Sequence, residues 1–127
     1  MKRTQWVLLA TIGAVIGVTA ALAQAPDERM AGITVMRAIN TAENAIKQSG
    51  GKFVPLEALL NHQAMGRVRA NIAVSGNAIT HQGAQLRLAL SADAMQYHVM
   101  AVPAATCGTA VFSDERGLIY TGKVLDC

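Results

Sequence analysis

Aromatic side chains are scarce in this 127-residue chain, which holds two Phe, two Tyr and one Trp. Beyond Trp6 the only rings are Phe53, Tyr97, Phe112 and Tyr120, which argues against a stacking platform for bases or sugars. Charge is equally thin. With Lys2 and Arg3 set aside, the 11 cationic residues fall to nine against eight acidic ones, and so even a balance gives no electrostatic reason to bind nucleic acid. Histidine is limited to His62, His81 and His98, with no His-x-x-x-His or His-Glu pairing, so no zinc ligand set is expected. The methionines after the start are scattered; Met30 and Met36 read as core, and copper ligation through Met and His is the one metal alternative. Ser91, Asp93 and His98 come without a nucleophile elbow, and Ser91-Ala92-Asp93 reads as a turn. Gly50-Gly51-Lys52 lacks both the earlier glycine and the following Ser or Thr of a phosphate loop. No catalytic residue, no metal site and no cofactor is expected.

What is present begins with export. Lys2 and Arg3 precede a charge-free run from Trp6 to Ala23 that closes on small residues. Ala21-Leu22-Ala23 and Ala23-Gln24-Ala25 both offer the small side chains that signal peptidase requires. Residues 1–25 therefore read as a secretory signal, with a mature start at Gln24 or Pro26. The run is about 18 residues long, near the lower limit for a bilayer span, so membrane contact is expected only if this segment is retained. Residues 26–127 suffice for one core and one domain.

The two cysteines, Cys107 and Cys127, both lie near the C-terminus. In an oxidising compartment, secreted or periplasmic, such a pair is expected to bridge. In the chain-entropy model the closed loop would stabilise the fold by roughly 3 kcal/mol.

Helical periodicity comes first and strand periodicity last. Asp27 and Glu28 mark a helix start, after which Met30, Ile33, Met36 or Arg37, Ile39, Ala42 and Ile46 recur at three- and four-residue intervals up to Ser49-Gly50-Gly51. The polar face of this helix is expected to carry Arg29, Asn40, Glu43, Asn44 and Lys47, with Glu43 and Lys47 as an i,i+4 pair. Pro55 opens a short second helix bearing Leu56, Leu59 and Leu60. From Gly66 to Gly83 the pattern reads as a loop with one irregular strand. Leu86, Leu88 and Leu90, then Tyr97, Val99 and Ala101, alternate as two strands joined by Ser91–Ala94. A second hairpin pairs Thr109–Ser113 with Leu118–Thr121 around a structural turn, Asp114 to Gly117, in which Gly117 takes a positive φ. Asp114 and Glu115 are expected to point apart and into water at its tip. The fold class is α+β: a long amphipathic helix on a three- or four-stranded antiparallel sheet.

Two segments carry a family resemblance. Arg37-Ala38-Ile39-Asn40-Thr41-Ala42-Glu43 in the helix, and the run from Tyr97 to Tyr120, resemble bacterial type IV pilin-like and type II secretion pseudopilin-like proteins. In the second segment Tyr97-His98-Val99-Met100-Ala101-Val102-Pro103-Ala104 is similar to a strand ending in an Ala-x-Pro-Ala step. Phe112-Ser113-Asp114-Glu115-Arg116-Gly117-Leu118-Ile119 is similar to the family's Phe-x-x-Asp-x-x-Gly hairpin, and a bridged C-terminal loop is similar to the disulfide-bounded region of many pilins. The chain departs from the family at its start: it has no Gly-Phe-like leader junction, and no acidic residue lies between Met1 and Ala25. The resemblance implies a pilin-like headpiece without the retained anchor, exported as a separate module.

Two classes of function follow. The first is a non-enzymatic structural or interaction domain with protein partners at the cell envelope, working through its sheet face or bridged loop. The second is a small periplasmic binding module for an apolar ligand, which would need a cavity of several hundred Å³.

Overall fold

The computed structural model describes residues 24–103 and 108–123. Residues 1–23 of the segment read as a signal, and Cys107 and Cys127, lie outside them, while Gln24 and Ala25 are the first residues of the first helix. Helix α1 spans Gln24–Gly50 and is followed by the single-turn helix α2, Leu56–Leu59, a 3₁₀ turn at Gln63–Met65 and a further single turn α3, Gly66–Arg69. Six strands complete the chain: β1 Ala73–Ser75, β2 Ala78–His81, β3 Ala84–Leu90, β4 Tyr97–Val102, β5 Thr109–Asp114 and β6 Ile119–Lys123. They pair in sequence order as one antiparallel meander.

The α+β class is compatible with this architecture, but the sheet has six strands, not three or four. The two additional strands come from the Gly66–Gly83 stretch. β1 is exposed at all three positions, so it carries no inward-outward alternation that a sequence pattern could register. The β2–β3 turn is Gln82-Gly83, with φ of 47° and 86°. That is the paired positive-φ geometry of a two-residue hairpin, reached with Gln where Asn or Asp usually stands.

α1 lies across the inner face of the sheet. Ala31, Val35, Met36, Ile39 and Ala42 are buried from the helix, facing a layer that includes Ile79, Leu86, Leu88, Val99 and Val111. A Cβ added at Gly32 would stand 3.3 Å from the Cβ of Ala101, so the helix approaches β4 as closely as glycine permits.

The polar face expected of α1 is not where the charges of that helix all lie. Asn40 is 7% exposed and Glu43 fully buried. Among the described residues no ion pair joins Glu43 to Lys47, whose ammonium instead donates to the Met95 carbonyl at 3.3 Å. The reason is tertiary: α1 is covered by the sheet on one side and by α2, the 3₁₀ turn and α3 on another. Two covering layers bury a wider arc than one apolar stripe. Met30, expected in the core, lies outside that arc and is 49% exposed, whereas Met36 is fully buried.

Candidate functional site

The sheet has one covered and one open face, and the open face is the candidate site. Strand geometry sends alternate side chains to opposite sides, so Leu86, Leu88, Val99 and Val111 turn inward while Gln85, Arg87, Met100 and Phe112 turn outward. The register aligns one outward row across five strands. Ala78 stands opposite Arg87, Arg87 opposite Met100, Met100 opposite Phe112, and Phe112 opposite Tyr120. Met100 and Tyr120 are about two-fifths exposed and Val102 is half exposed. The Phe112 ring lies 6.0 Å from Tyr120 and 6.3 Å from His98, at shallow tilts of 35° and 32°. Three rings from three strands thus form a line on the open face, capped by the Arg116 guanidinium 5.8 Å from the Tyr120 ring.

The last hairpin is held from both ends. The Gly117 amide donates to the Asp114 carbonyl at 2.8 Å, and Gly117 has φ 73°. The Asp114 carboxylate does not point into water as a tip residue. It is buried and accepts from the Arg116 amide at 3.1 Å and from the Arg116 side chain at 3.0 and 2.6 Å. Those bonds from Arg116 hold the Asp114 carboxyl below its usual range, so at neutral pH it is a fixed anion and a poor proton donor.

Beneath the sheet a polar line crosses the helix–sheet interface. The Asn40 amide donates to Ser113 Oγ at 2.8 Å and to the Gly117 carbonyl at 3.3 Å, and accepts from the Tyr97 hydroxyl at 2.8 Å. Burial, with the nearby Glu43, Asp114 and Glu115 carboxylates adding to it, pushes the Tyr97 hydroxyl up. One turn along α1, Glu43 Oε2 accepts from the Val54 amide at 3.0 Å. Its other oxygen, Oε1, is buried without a hydrogen-bond partner. Desolvation raises the Glu43 carboxyl to about 7, the Val54 bond opposing only in part.

The remaining polar residues singled out in the sequence are dispersed. Ser91 Oγ donates to Asp93 at 2.5 Å and both also bond main-chain atoms of their own turn; His98 lies apart on the open face. His62 Nδ1 accepts from the Ala64 amide, and buried His81 places Nδ1 2.9 Å from the Asn71 carbonyl, which requires the proton on that nitrogen. Among the described residues no cluster of three His, Cys, Asp or Glu side chains could hold a metal ion.

A surface depression of about 560 Å³ is lined by Met30, Ala31, Thr34, His81 and Gln82. Half-exposed Met30 forms part of its wall, so it is open to solvent and mixed in polarity.

The row of Arg87, Met100, Phe112 and Tyr120 was not singled out in the sequence. Its only local sign is that Met100 shares the outward phase of its strand with Gln96 and His98, and the alignment with Phe112 and Tyr120 depends on pairing that periodicity does not report. No family model, no curated protein and no solved structure matches this chain. Among the described residues no helix is long and apolar enough to cross a membrane.

Proposed function

We propose that this chain is an exported, non-enzymatic domain of pilin-like type that engages a protein partner at the bacterial cell envelope through the open face of its sheet. The observation that carries this reading is the outward row Met100, Phe112 and Tyr120, continued by Val102, apolar and aromatic side chains brought side by side on the open face. Contiguous exposed apolar area of this kind marks interaction surfaces, and interface cores favour Tyr, Phe, Met and Arg. The Asn40 line supports the same reading, because it fixes the hairpin that presents Phe112 and Tyr120 to a rigid helix. The open depression beside Met30 offers less to an apolar ligand, since drug-sized molecules bind where most of their surface is enclosed.

In this proposal the segment 1–25 is removed after Ala23 or Ala25, and Cys107 and Cys127 are bridged in the oxidising compartment. Intact mass of the exported protein reads both: cleavage fixes the N-terminal residue, and the bridge removes two hydrogens.

Site-specific photo-crosslinking in the exporting cell tests the surface. A photoreactive residue at Met100 should give a discrete adduct with one envelope protein, and the same residue at exposed Gln48 on α1 should not. Equal labelling at both positions, or none at Met100, would sink the proposal. Recovery of a bound apolar small molecule by native mass spectrometry would favour the binding-module reading instead.

A further inference from the structure

The step from Phe53 to Val54 is joined to the rest of the molecule by several contacts, one of which ends on a buried carboxyl group. The Phe53 amide donates to the Ala94 carbonyl at 2.9 Å, reaching the β3–β4 turn. Its ring stands edge-on to Tyr97, with centroids 4.7 Å apart and planes at 73°. Lys47 covers that ring, its ammonium 4.2 Å from the centroid. The next amide, that of Val54, donates to Glu43 Oε2. Pro55 follows and has no amide hydrogen to add.

Glu43 is an unusual anchor for such a step. It is fully buried, one of its oxygens accepts a single main-chain hydrogen bond, and the other accepts none. A neutral carboxylic acid is tolerable in that environment. A carboxylate with an orphan oxygen is not, because a buried charge needs pairing and hydrogen bonds to offset its lost hydration. The nearest cation on the same helix face, Lys47, is committed to Met95 and the Phe53 ring.

We propose that Glu43 is a proton-operated latch: the Phe53–Val54 step closes over the protonated carboxyl, and ionisation, although it strengthens the Val54 hydrogen bond, drives the step open because the buried carboxylate must otherwise go without water.

The sign of the effect follows from which form each state prefers. The closed state keeps the Glu43 proton up to about pH 7, against an ordinary value of 4.5, while an opened state in which the carboxyl meets water loses it near the ordinary value. Closing is therefore favoured in acid, and opening gains as pH rises from about 4.5 to about 7, levelling off above. The other ionisable groups around the step are Tyr97 from β4, Lys47 from α1, Asp93 from the β3–β4 turn, which faces Lys52 and is held below its usual range chiefly by Ser91, and Asp114 and Glu115 from the last hairpin, which act on Tyr97. Lys52 and Glu57 are exposed on the segment itself, and half-buried His62 follows it. Tyr97, raised by burial, stays protonated throughout this range.

Amide hydrogen exchange on the exported protein tests the latch, with intrinsic rates divided out at each pH. The protection of the Phe53 and Val54 amides should fall by roughly 10- to 100-fold between pH 5 and pH 8, as expected for a proton bound about two units more tightly when closed. Protection at Leu88 and Val99 in the central strands should hold over the same range. Glu43→Gln keeps an oxygen for Val54 but cannot ionise, and its Val54 protection should be independent of pH. Titration of the Glu43 carboxyl carbon by NMR in the unmutated protein gives a reading that does not depend on the variant folding, and its midpoint should lie near 7. A midpoint near 4.5, an equal loss of protection in the central strands, or a fall that persists in Glu43→Gln and so belongs to His62 or another group, would each overturn the latch.

Discussion

The hydroxyl of Tyr97 donates to Asn40 across 2.8 Å, 57 residues away in sequence, and the same amide reaches on to Ser113 and Gly117. One buried side chain thereby ties α1 to β4, to β5 and to the turn of the last hairpin. Each of its polar atoms is paired, which is the condition under which a buried polar group specifies an arrangement rather than weakening it.

Truncating that node should be more damaging than its single hydrogen bonds suggest. Asn40→Leu leaves the Tyr97 hydroxyl and Ser113 without their buried partner, and we expect a loss of about 2 to 4 kcal/mol by denaturant unfolding. Tyr97→Phe removes one bond and should cost about 1 to 2 kcal/mol. The double variant should lose less than the two losses added together, since both remove the same bond. Strict additivity would mean that the pair is not coupled.

At Gly117 the conflict is with the backbone. The φ of 73° is one that β-branched residues avoid, and a Cβ there would meet only ordinary contact, 3.6 Å from Asn44 Nδ2. Gly117→Val should therefore cost about 1 kcal/mol or more through strain alone, lowering the melting temperature by several degrees. Glu115→Ala removes a side chain with no resolved role in the turn and should be near neutral. A larger loss for Glu115→Ala would point to an acidic site in the hairpin instead.

Gly32 meets a different limit. There a Cβ would stand 3.3 Å from Ala101, and the two further methyls of valine have no room between α1 and β4. Gly32→Val should destabilise by about 1 to 3 kcal/mol as the helix is pushed from the sheet. Gly32→Ala should do much less harm, since better helix propensity, worth about 1 kcal/mol, offsets the tighter contact. Thermal melts of the pair rank them; equal stability would show that the helix yields freely.

Overall stability should depend on pH through one raised carboxyl, Glu43, and two lowered ones, Asp93 and Asp114. The Glu43 carboxyl is raised when folded, so its contribution is fully present below about pH 4.5 and is lost as pH rises to about 7. The Asp114 carboxyl is lowered, so its contribution is present above the ordinary carboxylate range and is lost as acid protonates it. Melting temperature should pass through a maximum on the acid side of neutrality. Glu43→Gln should flatten the alkaline limb, and Asp114→Asn should flatten the acid limb in part, Asp93 contributing the remainder. An alkaline limb unchanged in Glu43→Gln would remove Glu43 as its source.

Several elements were legible because their signal is local. The alternation of Leu86 and Leu88, then of Tyr97 and Val99, reports a strand with one covered face, and the two strands stand in register across Ser91–Ala94. Of the α1 stripe, Met36, Ile39 and Ala42 are fully buried at helical spacing while Ile33 and Ile46 are partly buried and Met30 is exposed, and Gly117 after Asp114-Glu115-Arg116 reports a turn that needs positive φ. Other elements left no such trace. β1 has no buried residue to set a phase, and Gln82-Gly83 is a weak spelling of a tight hairpin. On α1, Asn40 and Glu43 read as solvent-facing because their side chains are polar.

By itself, then, the sequence determined the helix, the two long hairpins and the α+β class, because each rests on contacts between near neighbours or on a repeat along one element. Only the tertiary structure decided that the sheet has six strands, that Glu43 and Asn40 face inward, and that Met100, Phe112 and Tyr120 form one row. Those outcomes depend on which layers cover a surface and on how separate strands register. Segments distant in sequence decide both, so no residue's own character or spacing encodes them.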